Sequence, residues 1–265
     1  MRQGITRYVR LAVIMPALLS FAATDNGCNK NELNMIKDRD TFSKGHLTAR
    51  PNNNGSKEEF KAGVQPLNLD GKRDGFIYVP KHYSKENPAA VALMLHGAGG
   101  QAQHGLDLIK QYADNQNIIL LAPASRDMTW DIIVKESFDA DVIFINQALS
   151  ILFNRYNIDT SHIAIGGFSD GASYALSLGL SNGDLFTHII AFSPGFTYSV
   201  AKKGKPLVFI SHGTQDRVLP IVNCSRRIVP QLQGQGYTVN YKEFDGEHEI
   251  PQKISSGAID WFLRR

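Results

Sequence analysis

His162-Ile163-Ala164-Ile165-Gly166-Gly167-Phe168-Ser169-Asp170-Gly171-Ala172-Ser173-Tyr174-Ala175 carries the fold of this chain in fourteen residues. It opens as an apolar strand and resumes, past a serine flanked by glycines, as a helix of small residues. In a G-x-S-x-G sequence so placed, the strand-to-helix turn is sharp enough to lift the serine above the sheet in a strained conformation. Glycines on both sides let neighbouring backbone approach. The five-letter pattern is short and recurs by chance, so the strand before it and the helix after it carry the weight. Ser169 is therefore a candidate nucleophile; the competing reading is a glycine-rich turn with an incidental serine.

On either side of this turn, short apolar runs rich in β-branched residues alternate with segments of helical period, the pattern of βαβ units around a mainly parallel sheet with helices on both faces. The α/β class follows. Strands are expected at Gly75 to Val79, Ala90 to Leu95, Ile118 to Leu121, His162 to Ile165, His188 to Phe192, Pro206 to Ile210 and Thr238 to Phe244. The clearest helix is Asp139 to Phe153, where Val142, Ile145, Leu149 and Leu152 recur at steps of three and four. Others are expected at Ala102 to Asn115, Asp170 to Leu180, Ile221 to Gly234 and Ile250 to Leu263.

Three further segments fit a serine nucleophile, in chain order. Leu93 to Gly100, LMLHGAGG, is a buried strand ending in a glycine-rich turn, which can offer a backbone amide of Ala98 or Gly97 to a developing oxyanion, opposite the amide of Asp170. A phosphate-cradling loop is the rival reading, but no lysine follows at the required spacing. Phe209 to Pro220, FISHGTQDRVLP, runs from a strand into a loop bearing Asp216, the candidate acid. His212 in that stretch precedes the acid, whereas the base should follow it, so His212 reads as structural. Of the eight histidines only His248 lies beyond Asp216, and it becomes the candidate base. Asp245, in the loop of His248 itself, is the alternative acid. Glu247, His248 and Glu249 could also be taken as metal ligands, but neighbouring side chains in an extended loop diverge, and no metal or other cofactor is implied.

With serine, acid and histidine in this order, the region from about Gly75 to Arg265 resembles the α/β-hydrolase superfamily. It looks most like the phospholipase/carboxylesterase group and the related secreted polyhydroxybutyrate-depolymerase-like and feruloyl-esterase-like hydrolases. The matching pieces are the turn at His96, the elbow at Ser169, the stretch from His212 to Pro220 and the loop at His248. The resemblance implies an α/β-hydrolase fold, a Ser169-His248-Asp216 triad and an oxyanion hole from the amides of Ala98 and Asp170. It departs from the group at Asp170, where carboxylesterases often carry glutamine, and in a polar N-terminal arm that has no counterpart.

A serine ester hydrolase acting through an acyl-enzyme on a small-molecule ester is the function these features imply. A serine peptidase on the same fold and a non-catalytic binding protein built on the scaffold are the alternatives. Trp130, Phe168, Phe196 and Tyr198 stand in loops that would follow strands and are candidate pocket residues. No segment long enough for a large amphipathic lid is apparent, so short-chain or aromatic esters are expected over long-chain lipids.

Composition fits one catalytic domain: 265 residues, 43% hydrophobic and 20% charged. Residues 1–22 read as an export signal, with Arg2, Arg7 and Arg10 before an apolar run too short to span a bilayer and interrupted by Pro16; cleavage is expected near Ala22, giving a periplasmic or secreted protein. A lipid anchor at Cys28 is the weaker reading, since Asp25-Asn26-Gly27 lacks the large apolar residue a lipoprotein signal places there. Residues 23–59 read as a polar linker or arm and residues 60–265 as the catalytic domain. The chain has 28 basic and 25 acidic residues, so that loss of the three signal arginines leaves no basic excess to neutralise nucleic-acid phosphates. Cys28 and Cys224 are the only cysteines, too few for a disulfide framework; one bridge could form between them, but nothing requires it.

Overall fold

The computed structural model describes residues 40–52, 61–198 and 201–264. The expected signal segment and Cys28 lie outside them. Eight strands form one sheet in the order β1-β2-β4-β3-β5-β6-β7-β8. They are β1 (Gly63–Pro66), β2 (Gly75–Val79), β3 (Ala89–Leu95), β4 (Ile118–Pro123), β5 (Ile158–Phe168), β6 (His188–Phe192), β7 (Leu207–Gly213) and β8 (Val239–Phe244). The pairs β1–β2 and β2–β4 are antiparallel and every other pair is parallel.

Helices cover the sheet, among them α1 (Ala102–Asp107), α2 (Lys110–Gln116), α3 (Asp131–Val134), α4 (Ala140–Arg155), α5 (Asp170–Ser181), α6 (Ser225–Gly234) and α7 (Gln252–Phe262). Successive strand residues point to opposite faces, and the two cores follow that alternation. Val91, Leu93 and Leu95 of β3 with Ile163 and Ile165 of β5 pack under α4, α5 and α6. Ala92 and Met94 with Ala164 and Ile190 pack under α1, α2 and α7. The central strands are buried on both sides, which is why β3, β4 and, after His188, β6 appear in the sequence as unbroken apolar runs.

Two expectations are corrected. The helix expected from Ala102 to Asn115 is two helices broken at Ile109, whose φ of −142° leaves the helical region. The polar linker or arm expected over residues 23–59 packs onto the domain where it is described: Leu47 and Ala49 are buried in the main core. Asn182 and Asn146 hold that segment through its backbone. The Asn182 Oδ1 accepts the Leu47 amide at 2.8 Å, and the Asn146 Oδ1 accepts those of Thr48 and Ala49 at 2.8 and 2.9 Å. Among the described residues no helix is long and apolar enough to cross a membrane.

Candidate active site

Ser169 stands between β5 and α5 with φ 58° and ψ −121°, a conformation that costs a side-chain-bearing residue roughly 1–3 kcal/mol. The elbow is held where it is by its neighbours. The Ser169 amide donates to the Phe192 carbonyl at 3.0 Å, and its carbonyl accepts the amides of Ala172 and Ser173 as the first turn of α5. Gly171 lies so close to β3 that a Cβ there would meet the Leu95 carbonyl oxygen at 2.2 Å.

Ser169, Asp216 and His248 come together at the carboxyl edge of the sheet, from loops after β5, β7 and β8. Ser169 Oγ lies 2.9 Å from His248 Nε2, and His248 Nδ1 lies 2.6 Å from Asp216 Oδ2. The His248 loop reaches the acid by folding back over the end of β7. Thr214 and Gln215 donate to the carbonyls of Phe244 and Gly246, and a Cβ on Gly213 would meet the Glu247 carbonyl at 2.2 Å. Asp216 Oδ1 accepts the amides of Val218 and Leu219 at 2.9 and 2.7 Å. Burial pulls this carboxyl upward, but the Leu219 amide and His248 outweigh it and hold it below the usual carboxylate range. With Nδ1 facing a carboxylate, Nδ1 carries the proton and Nε2 is left bare toward the serine hydroxyl. Asp245 takes no part in this chain and accepts instead from Gln215 at 2.5 Å.

Gly97 runs beside Ser169, so close that a Cβ on it would sit 3.4 Å from the serine Cβ. The carbonyl of Gly97 faces His96 Nδ1 at 2.7 Å and accepts the Gly100 amide at 3.1 Å. In a trans peptide the amide of Ala98 then points away from both. The Asp170 amide, at the first position of α5, has no partner inside the helix. His96 fixes this turn as a neutral ring. Its Nε2 accepts the Ser125 amide at 3.0 Å, so the proton sits on Nδ1, and burial lowers its pKa to about 4. Trp130 donates its Nε1–H to the His96 carbonyl at 2.9 Å and lies against the His96 ring, the two ring planes tilted by 35°.

Of the residues expected to line a pocket, Trp130 is corrected. It is fully buried between His96 and Tyr174, with its one donor spent on backbone, and it braces the glycine turn. Tyr198 is half-buried against Phe138. Phe168 packs its ring 4.6 Å from that of His248, and Phe196 is exposed on the loop after β6. A cavity of about 450 Å³ opens beside His248, lined by Arg217, Val218, Glu247 and Glu249. Asp170, which departs from the glutamine of the resemblance, accepts a 2.7 Å hydrogen bond from Thr129 Oγ1 and so ties the elbow to the loop after β4. The supporting roles of His96, Arg73 and Thr129 were not visible in the sequence. Arg73 donates to the carbonyls of Gly100 and Ser125, a contact across the fold that no local pattern encodes.

Among the described residues no group of three metal-ligating side chains occurs. A mostly parallel sheet with a serine elbow at its carboxyl edge defines an α/β hydrolase. Residues 128–262, just over half of the chain, match the phospholipase/carboxylesterase family, and the chain belongs to it. It is 24% identical over 187 residues to the bifunctional acetylxylan esterase/xylanase XynS20E of Neocallimastix patriciarum, covering 64% of this chain and 24% of that protein. It is 29% identical over 132 residues to feruloyl esterase B of Thermothelomyces thermophilus, covering 47% of this chain and 43% of that one. The chain thus spans less than half the length of these curated relatives. The crystal structure of esterase PE8 superposes with a TM-score of 0.58 at 20% identity, covering 76% of this chain and 98% of that one, a likeness of fold.

Proposed function

We propose that the protein hydrolyses carboxylic esters through an acyl-enzyme on Ser169. The observation that carries this reading is the hydrogen-bonded chain from Ser169 Oγ through His248 to Asp216, mounted on a strained elbow. His248 Nε2 takes the hydroxyl proton as Oγ attacks the ester carbonyl, and Asp216 stabilises the imidazolium that forms. The oxyanion then lies against the amides of Ala98 and Asp170. His248 returns its proton to the leaving alcohol, and a water activated by the same imidazole releases the acid.

Small acyl groups, or acyl groups ending in an aromatic ring, suit this site. Phe168 offers a ring beside His248, and two curated relatives are named for acetyl and feruloyl ester cleavage. An export-competent host would deliver the protein beyond the cytoplasm after cleavage near Ala22. A fluorophosphonate probe tests the mechanism: the wild type should be labelled and folded Ser169→Ala should not. Labelling that persists in Ser169→Ala, or turnover of p-nitrophenyl acetate above about a tenth of wild type, overturns it.

A further inference from the structure

A second histidine reaches the acid. His212, at the end of β7, is fully buried, with Nε2 2.7 Å from the Leu219 carbonyl and 3.2 Å from Asp216 Oδ2, the same oxygen that faces His248. Both neighbours of Nε2 are acceptors, so Nε2 carries a proton. Nδ1 lies 2.7 Å from Ser225 Oγ at the start of α6, where the serine hydroxyl can donate to it. Burial lowers the pKa of this ring below its ordinary value, which agrees with a neutral ring donating through Nε2.

Resting on the triad proposed above, we infer that His212 is a positioning residue for the reaction, acting through Asp216. The contacts give it two effects. The loop from Asp216 to Leu219 is gripped at both ends, since Leu219 donates its amide to Asp216 Oδ1 and receives His212 on its carbonyl. The Nε2–H dipole also lies against Oδ2, draws on its charge and limits how strongly Asp216 holds a proton on His248. His212 thereby sets both the aim of the carboxylate and the basicity of the imidazole it supports. The other titratable groups around the pair are few. Glu243 of β8 lies across the register from His212 and is engaged by Arg226, and Cys224 lies near Asp216. Arg217, Glu247 and Glu249 stand at the mouth outside His248.

The test pairs two substitutions. His212→Leu removes the ring N–H from the Leu219 carbonyl and from beside Oδ2, whereas His212→Gln returns an N–H close to the position of Nε2. In folded His212→Leu, kcat should fall about tenfold with KM within about twofold, because the contact touches Asp216 and no substrate. The acid limb of kcat/KM should move to higher pH by about half a unit, since an Oδ2 without the His212 N–H dipole beside it favours imidazolium at His248. His212→Gln should restore both. A packing role alone would lower the melting temperature and leave the limb in place, so a folded His212→Leu with wild-type kcat and limb overturns the proposal. If His212→Leu does not fold, ¹⁵N-histidine NMR of Ser169→Ala decides. A neutral His212 protonated on Nε2 whose signals move as His248 titrates supports the role; a doubly protonated ring, an Nδ1–H ring or signals indifferent to His248 excludes it. Activity surviving in Ser169→Ala would instead sink the ester mechanism, and the NMR result would not depend on it.

Discussion

Asp216→Asn should nearly silence the protein without unfolding it, and the contacts of the carboxylate say why. Every group facing it presents an N–H: the amides of Val218 and Leu219 donate to Oδ1, His248 Nδ1 lies 2.6 Å from Oδ2, and His212 Nε2, whose own partner is the Leu219 carbonyl, stands 3.2 Å from Oδ2. An asparagine has one acceptor to offer, and its NH₂ must face one of these pairs. The backbone amides cannot change role, whereas an imidazole can move its proton. The amide oxygen therefore stays on Val218 and Leu219 and the NH₂ faces His248. Nδ1 must then become the acceptor and the proton moves to Nε2, pointing at the Ser169 hydroxyl that needs a base. Lost tautomer and lost charge together lower kcat about 10⁴-fold in a serine protease triad, and a fall of roughly 10³- to 10⁴-fold is expected here. Steady-state kinetics on p-nitrophenyl acetate, with a thermal melt to show the fold is kept, would measure it. A folded Asp216→Asn retaining more than about a tenth of wild-type kcat, or a larger loss at Asp245→Asn, would refute the reasoning.

Gly171→Ala should destabilise the protein by roughly 1–3 kcal/mol and lower kcat, because its Cβ would stand 2.2 Å from the Leu95 carbonyl and force α5 off β3; an unchanged urea midpoint would contradict this. His188, buried against Trp261 and Phe262, has a pKa lowered to about 4 by burial, against 6.5 for the unfolded chain. The unfolded state therefore binds the extra proton as pH falls from 6.5 to 4, and stability drops across that window by up to roughly 3 kcal/mol. In His188→Leu the fall of melting temperature over that range should be shallower, and parallel curves would exclude the assignment. Across p-nitrophenyl esters from acetate to palmitate, kcat/KM should level off after a few carbons, because methylenes left in water forgo about 0.8 kcal/mol each. A steady rise through the long chains, with activation on emulsions, would point to a lipase.

What could be seen in the sequence followed burial. β2 and β6 were legible to the residue because their apolar runs end at turn residues, and α4 because its apolar face repeats over four turns. β1 was not: in Gly63-Val64-Gln65-Pro66 the apolar pair Val64 and Pro66 faces solvent, and the segment exists as a strand through its pairing to β2. The polar start of β5, Asp159-Thr160-Ser161, hid its first turn of strand for the same reason. Residues 45–50 were missed because two asparagine side chains from distant helices hold them, a device with no period. At the site, chain order singled out Ser169, Asp216 and His248, each on its own loop motif, and the structure brings these three into one hydrogen-bonded row. Trp130 misled because a loop aromatic at the carboxyl edge of a sheet reads equally as pocket wall or buttress. The difference lies in a hydrogen bond to His96, a partner 34 positions away.

The backbone bonds at the carboxyl edge bear on how this site tolerates change. Beyond the regular strands the ladder continues sideways: Ser169 donates to Phe192, Ser193 to Ser211, and Thr214 to Phe244, at 3.0, 2.8 and 2.8 Å. These rungs act as a gauge block that spaces serine, acid and histidine by whole strand intervals of about 4.8 Å before any side chain is placed. Errors in such a gauge are discrete. A one-residue slip of β7 or β8 would turn every side chain of that strand to the opposite face, and a two-residue slip would carry its loop about 7 Å along the strand. Loops at this edge can therefore change length and composition while the spacing survives, whereas an insertion inside β6 or β7, far from any reacting atom, would put the three groups out of reach of one another.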